Sequence, residues 1–375
     1  VWMTVMACGS AAPAPTPTAA AKAAEPTKAP AAPTAAPTKA AEPTKAPAAA
    51  PTAAPTKAAA SFPKMDIKLG HSGVVEMSYH KGSVKFAELV KERTGGAVNV
   101  QVFPANQLGS EKDMIEQVKN GVIQISLTGP SMLAQFPGWG PLGVMAMPYV
   151  LQGKNEDELK PKLIKLARGP LMKELNEKAA KESGIRILDM GWWYGERHLT
   201  TKTKQVTKPA DVKGLKIRTM DSPIAKVALE ALGAACTPMA VAELYSALQL
   251  GVVEGQENPL NTIYSHKFYE VQKYVALTGH MAMNLVLITN DKWFQGLSPE
   301  LQDILVKSMA EAGDYETDMQ IAMNKQNMQD LKDKGMIITE VNKAEFAEAT
   351  KNAWKAFEKD FGVGFYEKVV AEANK

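Results

Sequence analysis

The spacing of apolar positions divides the chain into two unlike parts. Between Gly9 and Phe62 there is no large apolar residue. Beyond Phe62, short apolar runs alternate with longer stretches of helical periodicity. Ile67 to Leu69 is an apolar run that stops at Gly70-His71-Ser72. From Ser78 to Arg93, Val84, Phe86, Leu89 and Val90 fall on one side of a helix, and Gly95-Gly96 ends it. Val98 to Phe103 alternates apolar with polar and predicts a strand. Ser110-Glu111-Lys112-Asp113 is a capping box for the next helix, which Asn120-Gly121 closes. Val122 to Leu127 and Ile185 to Met190 predict a second and a third strand.

The rest of the chain repeats this logic. Leu215-Lys216-Ile217-Arg218 predicts a strand, and Ser222-Pro223 caps and starts a helix that ends at Leu232-Gly233. A helix from Ala242 to Leu250 stops at Gly251. Asn284 to Thr289 predicts a returning strand. Ser298-Pro299-Glu300 then opens a helical pattern that runs to Lys334. A helix of that length is unusual inside one small lobe, but could lie across two. Strands alternating with helices specify α/β architecture. The order suits two compact lobes joined by more than one chain crossing.

Composition changes the picture only at the amino-terminal end. Residues 9–62 are almost wholly Ala, Pro, Thr and Lys. Glu25-Pro26-Thr27-Lys28-Ala29-Pro30 recurs as Glu42-Pro43-Thr44-Lys45-Ala46-Pro47. Such a segment has nothing to bury against its ordering entropy and is expected to be a disordered, semi-extended tether. Five lysines against two glutamates give it +3, equal to the formal charge of the whole chain. The remainder is therefore neutral, which argues against a nucleic-acid face. Residues 1–8, Val-Trp-Met-Thr-Val-Met-Ala-Cys, resemble the end of a bacterial lipoprotein signal, with Cys8 as the lipid acceptor and thus a membrane anchor. Apart from Cys8 there is only Cys236, so no disulfide framework is expected. No later run is long and apolar enough to span a membrane.

Candidate chemistry is sparse. The five histidines, His71, His80, His198, His266 and His280, have no metal-ligand spacing. There is no nucleophile elbow, phosphate loop or dinucleotide fingerprint, and neither cofactor nor metal is expected. The best case for an enzyme pairs His198 with Glu196 or Asp221 as acid and base. Arg218 ends a predicted strand, where α/β sheets collect ligands, and its guanidinium fits both oxygens of a carboxylate. Trp192-Trp193-Tyr194 is the richest aromatic cluster. Strand alternation sends Trp192 and Trp193 to opposite faces, so at most one points into a cleft. Met132, Met145, Met147 and Met239 read mainly as core fillers.

Several ordered segments resemble the solute-binding subunits of tripartite ATP-independent (TRAP) transporters. They are Leu69-Gly70-His71, Pro104-Ala105-Asn106-Gln107-Leu108-Gly109, Gly195-Glu196-Arg197-His198, Lys213-Gly214-Leu215-Lys216-Ile217-Arg218, Thr237-Pro238-Met239-Ala240, Glu243 to Gln249, Gly251 to Pro259 and Phe268 to Tyr274. The resemblance covers nearly all of residues 64–375. It implies a two-lobe periplasmic-binding-protein-like fold, with hinge strands and a long helix bridging both lobes. The lobes are expected at about 63–195 with 284–320, and 196–283 with 321–375. It implies an extracytoplasmic receptor that takes a small organic acid and delivers it to the TRAP membrane permease. Arg218 would grip the carboxylate, Arg197 would assist, and Asn258 would line the cleft. His71 or Ser72, Trp193 and Met239 complete the candidate contacts. The glutamate that follows the strand near Thr128 in some sialic-acid-binding members is matched here by Gly129, so neither that residue nor that ligand carries over. A binding subunit of an ATP-driven importer or a sensor shares the two-lobe shape, but the Arg218 and Asn258 segments resemble the TRAP family more closely.

If Cys8 carries a lipid, Cys8→Ala releases the protein from membranes of a native-like host. Fractionation and mass spectrometry of the amino-terminal peptide check this, and an unmodified Cys8 in a membrane-free protein would overturn it.

Overall fold

The computed structural model describes residues 62–375; the lipid-acceptor and tether expectations, through residue 61, fall outside them. The first half of the fold is β1 (Met65–Gly70), α1 (Ser78–Arg93), β2 (Val98–Phe103), α2 (Glu111–Lys119), β3 (Ile125–Thr128) and α3 (Pro130–Leu133). Helices α4 (Glu156–Ala167) and α5 (Pro170–Ser183) then lead into β4 (Ile185–Thr201). The second half repeats the pattern with β5 (Lys216–Thr219), α6 (Pro223–Glu230), β6 (Ala235–Pro238), α7 (Val241–Gln249), β7 (Gly255–Asn258) and α8 (Leu260–Ser265). The chain returns through β8 (Tyr274–Asn290), α9 (Asp291–Gln295) and α10 (Pro299–Asp333). It ends in β9 (Ile337–Thr339), α11 (Lys343–Thr350), α12 (Glu358–Phe361) and α13 (Phe365–Ala373).

The strands form one mixed sheet in the order β2-β1-β3-β8-β4-β7-β5-β6, with β9 on β8. Its two ends mirror each other. Strand β1 pairs in parallel with β2 and β3, and β3 runs antiparallel to β8. Likewise β5 pairs in parallel with β6 and β7, and β7 runs antiparallel to β4. Parallel strands need helices over their faces. Alternating periodicity along the chain supplies them, and the capping box at Ser110 and Asp113 forms as expected.

The largest departure from the sequence reading is at the centre. The short strands expected at 185–190 and 284–289 each extend to 17 residues. They pair with one another from Ile185↔Asn290 to Thr201↔Tyr274. Register shifts interrupt the pairing at Ile187/Asp189, Asp189/Trp192, Trp193/Gly195 and Arg197/Leu199. Gly195 at one shift has φ 111°, which only glycine adopts without strain. These irregularities broke the alternation that sequence reasoning needed to see a long strand. Ser222 also differs from expectation. Its hydroxyl donates to Ser131 O at 3.1 Å, tying the start of α6 to α3, rather than capping its own helix.

Helix α10, 35 residues long, covers the bulged region with polar side chains. Thr317 Oγ1 accepts from Trp193 N at 3.0 Å, and Gln320 Nε2 donates to Tyr194 O at 2.7 Å. Asn324 Oδ1 accepts from Asn261 N of α8 at 3.0 Å, while Ser78 of α1 donates toward Gln320. Backbone groups in a buried, irregular strand must find partners elsewhere, and this helix provides them. Trp192 and Trp193 enter different apolar clusters on opposite faces, as alternation required. The C-terminal residues Phe361, Val369 and Ala373 pack in the cluster that holds α4 and Trp193. Among the described residues no helix is long and apolar enough to cross a membrane.

Glu316 of α10 is fully buried, 2.7 Å from Ser78 Oγ, and burial pushes its carboxyl up to about 8. A protonated Glu316 donates to Ser78 Oγ, which then donates onward to Gln320. A carboxyl raised on folding stabilises the fold below its ordinary range, and that contribution fades as pH rises through about 8. Glu316→Gln is therefore expected to flatten the fall in stability between pH 6 and pH 9, measured by urea denaturation. Parallel pH profiles for wild type and variant would contradict this.

Candidate functional site

A cavity of about 410 Å³ opens where the carboxyl ends of β1 and β3 meet those of β5 and β7, the expected position for a ligand in such sheets. Two arginines reach it. Arg218 is the third residue of β5, and its Nε and Nη2 donate to Met239 O at 3.0 and 2.7 Å. The short β6–α7 connection thus clamps the guanidinium from behind with a carbonyl, which carries no countercharge. Arg218 is only 4% exposed and has no carboxylate within 4 Å among the described residues. Burial, with the Arg197 charge adding to it, lowers its pKa to about 10 against the pull of Glu257.

Arg197 is held quite differently. It is 1% exposed, and its Nε and Nη2 both bond the Glu257 carboxylate, with Nη2 at 2.8 Å from Oε1. Nη2 also donates to Glu257 O at 2.8 Å and Asn258 Oδ1 at 3.0 Å. Register explains the contact, because His198 pairs with Asn258 and Leu199 with Glu257 across β4 and β7. Burial opposes ionisation of Glu257, but the Arg197 charge prevails and takes its carboxyl down to about 2. Nη1 of both arginines makes no hydrogen bond within the described chain and remains available. Arg197 and Glu257 form a direct ion pair; Arg218 has no carboxylate in contact, and Glu257 and Glu111 act on it only through space.

Asn258 lines the cavity but is largely committed. Its Oδ1 accepts from Arg197 and, at 3.3 Å, from Tyr194 OH, and its Nδ2 donates to Gln256 Oε1 at 2.6 Å. Tyr194 also presents its ring to Arg197, with Cζ 5.6 Å from the centroid. On the opposite wall Glu111, the first residue of α2, accepts from Thr128 Oγ1 at 2.5 Å and from Gly129 N at 2.8 Å. Burial raises the Glu111 carboxyl despite those bonds and the two arginines.

Of the residues expected at the site, Arg218, Arg197, Asn258, Ser72 and Met239 line one cavity. Trp193 does not. It is fully buried in the core beside α4, where Nε1 donates to Glu156 Oε1 at 3.3 Å. The register shift at Gly195 turns that part of β4 away, and Tyr194 takes its place in the cavity. His71 is also displaced from the lining. It is fully buried behind Tyr79, its ring edge-on at 5.3 Å, and His80 Nδ1 lies 3.1 Å from its Nε2. The pairing of His198 with Glu196 or Asp221 that an enzyme would need is not formed. His198 Nδ1 accepts from Gly279 N, burial drops its pKa to about 3, and Glu196 pairs with Lys343. Met145 and Met147 fill the core as expected, whereas Met132 also faces the cavity. Sequence reasoning missed Glu111, Tyr79 and Tyr194. Glu111 carried one signal, since the capping box places it in the first turn after a strand end.

A family model for bacterial extracellular solute-binding proteins, family 7, matches residues 69–360. The 2,3-diketo-L-gulonate-binding periplasmic protein YiaO of Escherichia coli K12 is 32% identical over 308 residues, spanning 79% of this chain and 87% of that protein. The C4-dicarboxylate-binding periplasmic protein DctP of Rhodobacter capsulatus is 33% identical over 274 residues, covering 72% and 78% of the two chains. A TRAP periplasmic solute-binding protein from Roseobacter denitrificans, solved with bound L-galactonate, superposes with a TM-score of 0.74. It is 30% identical, and the match covers 83% of this chain and 99% of that one.

Glu257→Gln removes the countercharge of a buried guanidinium, which typically costs about 3–5 kcal/mol. Its folded pKa is depressed, so the stability it contributes is present above the ordinary carboxylate range and lost as pH falls toward about 2. Urea denaturation at pH 7 should report the loss, together with a flatter acid limb in the variant. A change under about 1 kcal/mol would show that Glu257 is not what holds Arg197.

Proposed function

The chain belongs to the bacterial extracellular solute-binding proteins of family 7, and from that premise we propose that it captures a polyhydroxylated organic acid outside the cytoplasmic membrane and delivers it to a TRAP permease. The observation that carries this reading is Arg218, a buried cation that its surroundings fix in place but do not neutralise. An anionic ligand completes the site. Arg218 Nη1 takes the carboxylate in a charge-assisted hydrogen bond, and Arg197 Nη1 adds a second donor.

Charge on the far wall narrows the ligand class. The second carboxylate of a dicarboxylic acid would meet Glu111, which can accept it only by holding a proton. Hydroxyl groups, by contrast, donate to an ionised Glu111 and exchange hydrogen bonds with Ser72, Asn106 and Ser110, which also line the cavity. A monocarboxylate with several hydroxyls suits both ends. The solved relative that holds L-galactonate supports this reading, whereas the relative named for C4-dicarboxylates argues for the other class. Binding, rather than turnover, is the proposed task, with no cofactor and no metal. Closure of the two halves about β4, β8 and α10 is part of the proposal. The Ser222–Ser131 contact and the 2.9 Å bond from Gln135 Nε2 to Asp221 O join the halves at the cavity mouth. Residues 9–62 and a lipid on Cys8 would keep the receptor near the permease.

Galactonate is expected to raise the melting temperature more than succinate or galactonamide at neutral pH. Succinate should gain at acid pH as Glu111 protonates. Arg218→Ala is expected to cost about 2–5 kcal/mol of galactonate affinity by calorimetry, with Arg218→Lys recovering part. Arg197→Ala should cost less affinity but more stability, because it strands Glu257. Asn258→Ala should cost least, near ~0.5–1.5 kcal/mol. Near-wild-type binding by folded Arg218→Ala, or equal shifts from acid and amide, would sink the assignment.

A further inference from the structure

Behind the crossing strands lies a second cavity, of about 400 Å³, that the solute-binding reading leaves unused. Strand geometry places it on the face opposite the cleft. Pairing is regular from Gly195↔Met283 to Arg197↔Met281, so successive side chains alternate there. Arg197 and Met283 line the cleft, while their neighbours Glu196 and Ala282 line the rear cavity. Its walls come from four other places: the 148–153 loop, Leu159 of α4, α11, and Tyr366 of α13.

An ion pair anchors the inner wall of this cavity, which opens to solvent at Gln152, Ala344 and Lys351. Glu196, 8% exposed at its side chain, receives Lys343 Nζ at 2.6 Å and fixes the first residue of α11 against β4. Gly279 adopts φ 53°, and an added Cβ would meet Glu196 Oε1 at 2.2 Å, so the backbone is shaped around that ion pair. Tyr149, also at φ 53°, has its hydroxyl donating to Thr278 O at 2.9 Å. Tyr366 is stacked on Trp354 with centroids 4.5 Å apart. Ala344 and Ala347 of α11 present a small-residue wall. Two lysines, Lys343 and Lys351, reach the lining; each already has one carboxylate partner, Glu196 inside it and Glu348 outside it, and each keeps N–H donors to spare. Lys343 gives one of its three N–H donors to Glu196 and keeps the others.

We propose that this rear cavity is a second binding site, for a small amphipathic anion whose acidic head meets Lys343 and Lys351 and whose aromatic or aliphatic body lies between Ala347 and Tyr366. The chemistry differs from that of the cleft, where hydroxyl partners surround the arginines. The inference does not depend on which acid the cleft takes.

The test uses the full chain with 8-anilinonaphthalene-1-sulfonate as probe, and N-phenyl-1-naphthylamine as the same body without the charge. Fluorescence titration should give one equivalent of the sulfonate bound by wild type and by Arg218→Ala, with dissociation constants within about twofold. The neutral dye should bind about tenfold more weakly, as loss of a charge-assisted contact predicts. Ala347→Trp fills the cavity and should remove sulfonate binding while leaving the circular dichroism spectrum unchanged. If that variant does not fold, Ala344→Leu narrows the same wall and should weaken the probe. Loss of binding in Arg218→Ala would place the probe in the cleft and overturn the proposal. Equal binding of both dyes, or undiminished binding in the filled variant, would overturn it too.

Discussion

Everything else in this fold depends on the antiparallel pairing of β4 with β8, because these two strands are shared by both mirrored halves. A regular 17-residue ladder would be a continuously twisted ribbon. Four register shifts interrupt it, and they leave backbone groups that the ladder no longer satisfies. Buried groups of that kind cost free energy unless paired. Helix α10 meets part of the need with Thr317 and Gln320, while Asn324 serves the Asn261 N–H of α8, which explains why a helix buried against the sheet carries so many polar residues. The same bulges decide which side chains reach the cleft, so backbone irregularity and ligand chemistry are one problem here.

Electrostatics separates two residues of one type. Arg197 and Arg218 are both buried cations beside one cavity, yet Glu257 neutralises the first and a carbonyl holds the second. A buried cation without a countercharge is normally a liability. In the proposed function an anion completes the Arg218 position, and preorganisation by Met239 O would lower the cost of ordering Arg218 on binding. Glu111 on the far wall has the opposite effect, making a second anionic group unwelcome. Family membership supports organic acids in general; the preference for hydroxyls at the far end belongs to the proposed function, which rests on Glu111 in the cavity lining.

The two faces of the crossing strands carry different ionic pairs one residue apart. Glu196 with Lys343 lies at the rear, and Arg197 with Glu257 lies at the cleft. Likewise Gly279 adjoins Glu196, and His280 lies 3.4 Å from Glu257. The peptide units between them are common to both arrangements. Changes in packing at the rear are therefore changes in the scaffold that aims Arg197.

Sequence by itself determined the α/β class, the bounds of α1 and β2, the capping box of α2 and the span of α10. Each follows from local periodicity or from capping within a few residues. It also pointed to Arg218 and Arg197, because short ordered segments sufficed for the family resemblance. Tertiary structure alone decided what the arginines do. The partner of Arg197 is 60 residues away on β7, and it is Glu257 rather than the neighbouring Glu196. It alone decided that Tyr194 faces the cleft while Trp193 and His71 do not, since bulges in a strand shift the alternation on which sequence reasoning relies. It brought Glu111 opposite the arginines, across a cavity assembled from distant segments. Periodicity reports which face of an element is apolar; only packing decides what that face meets.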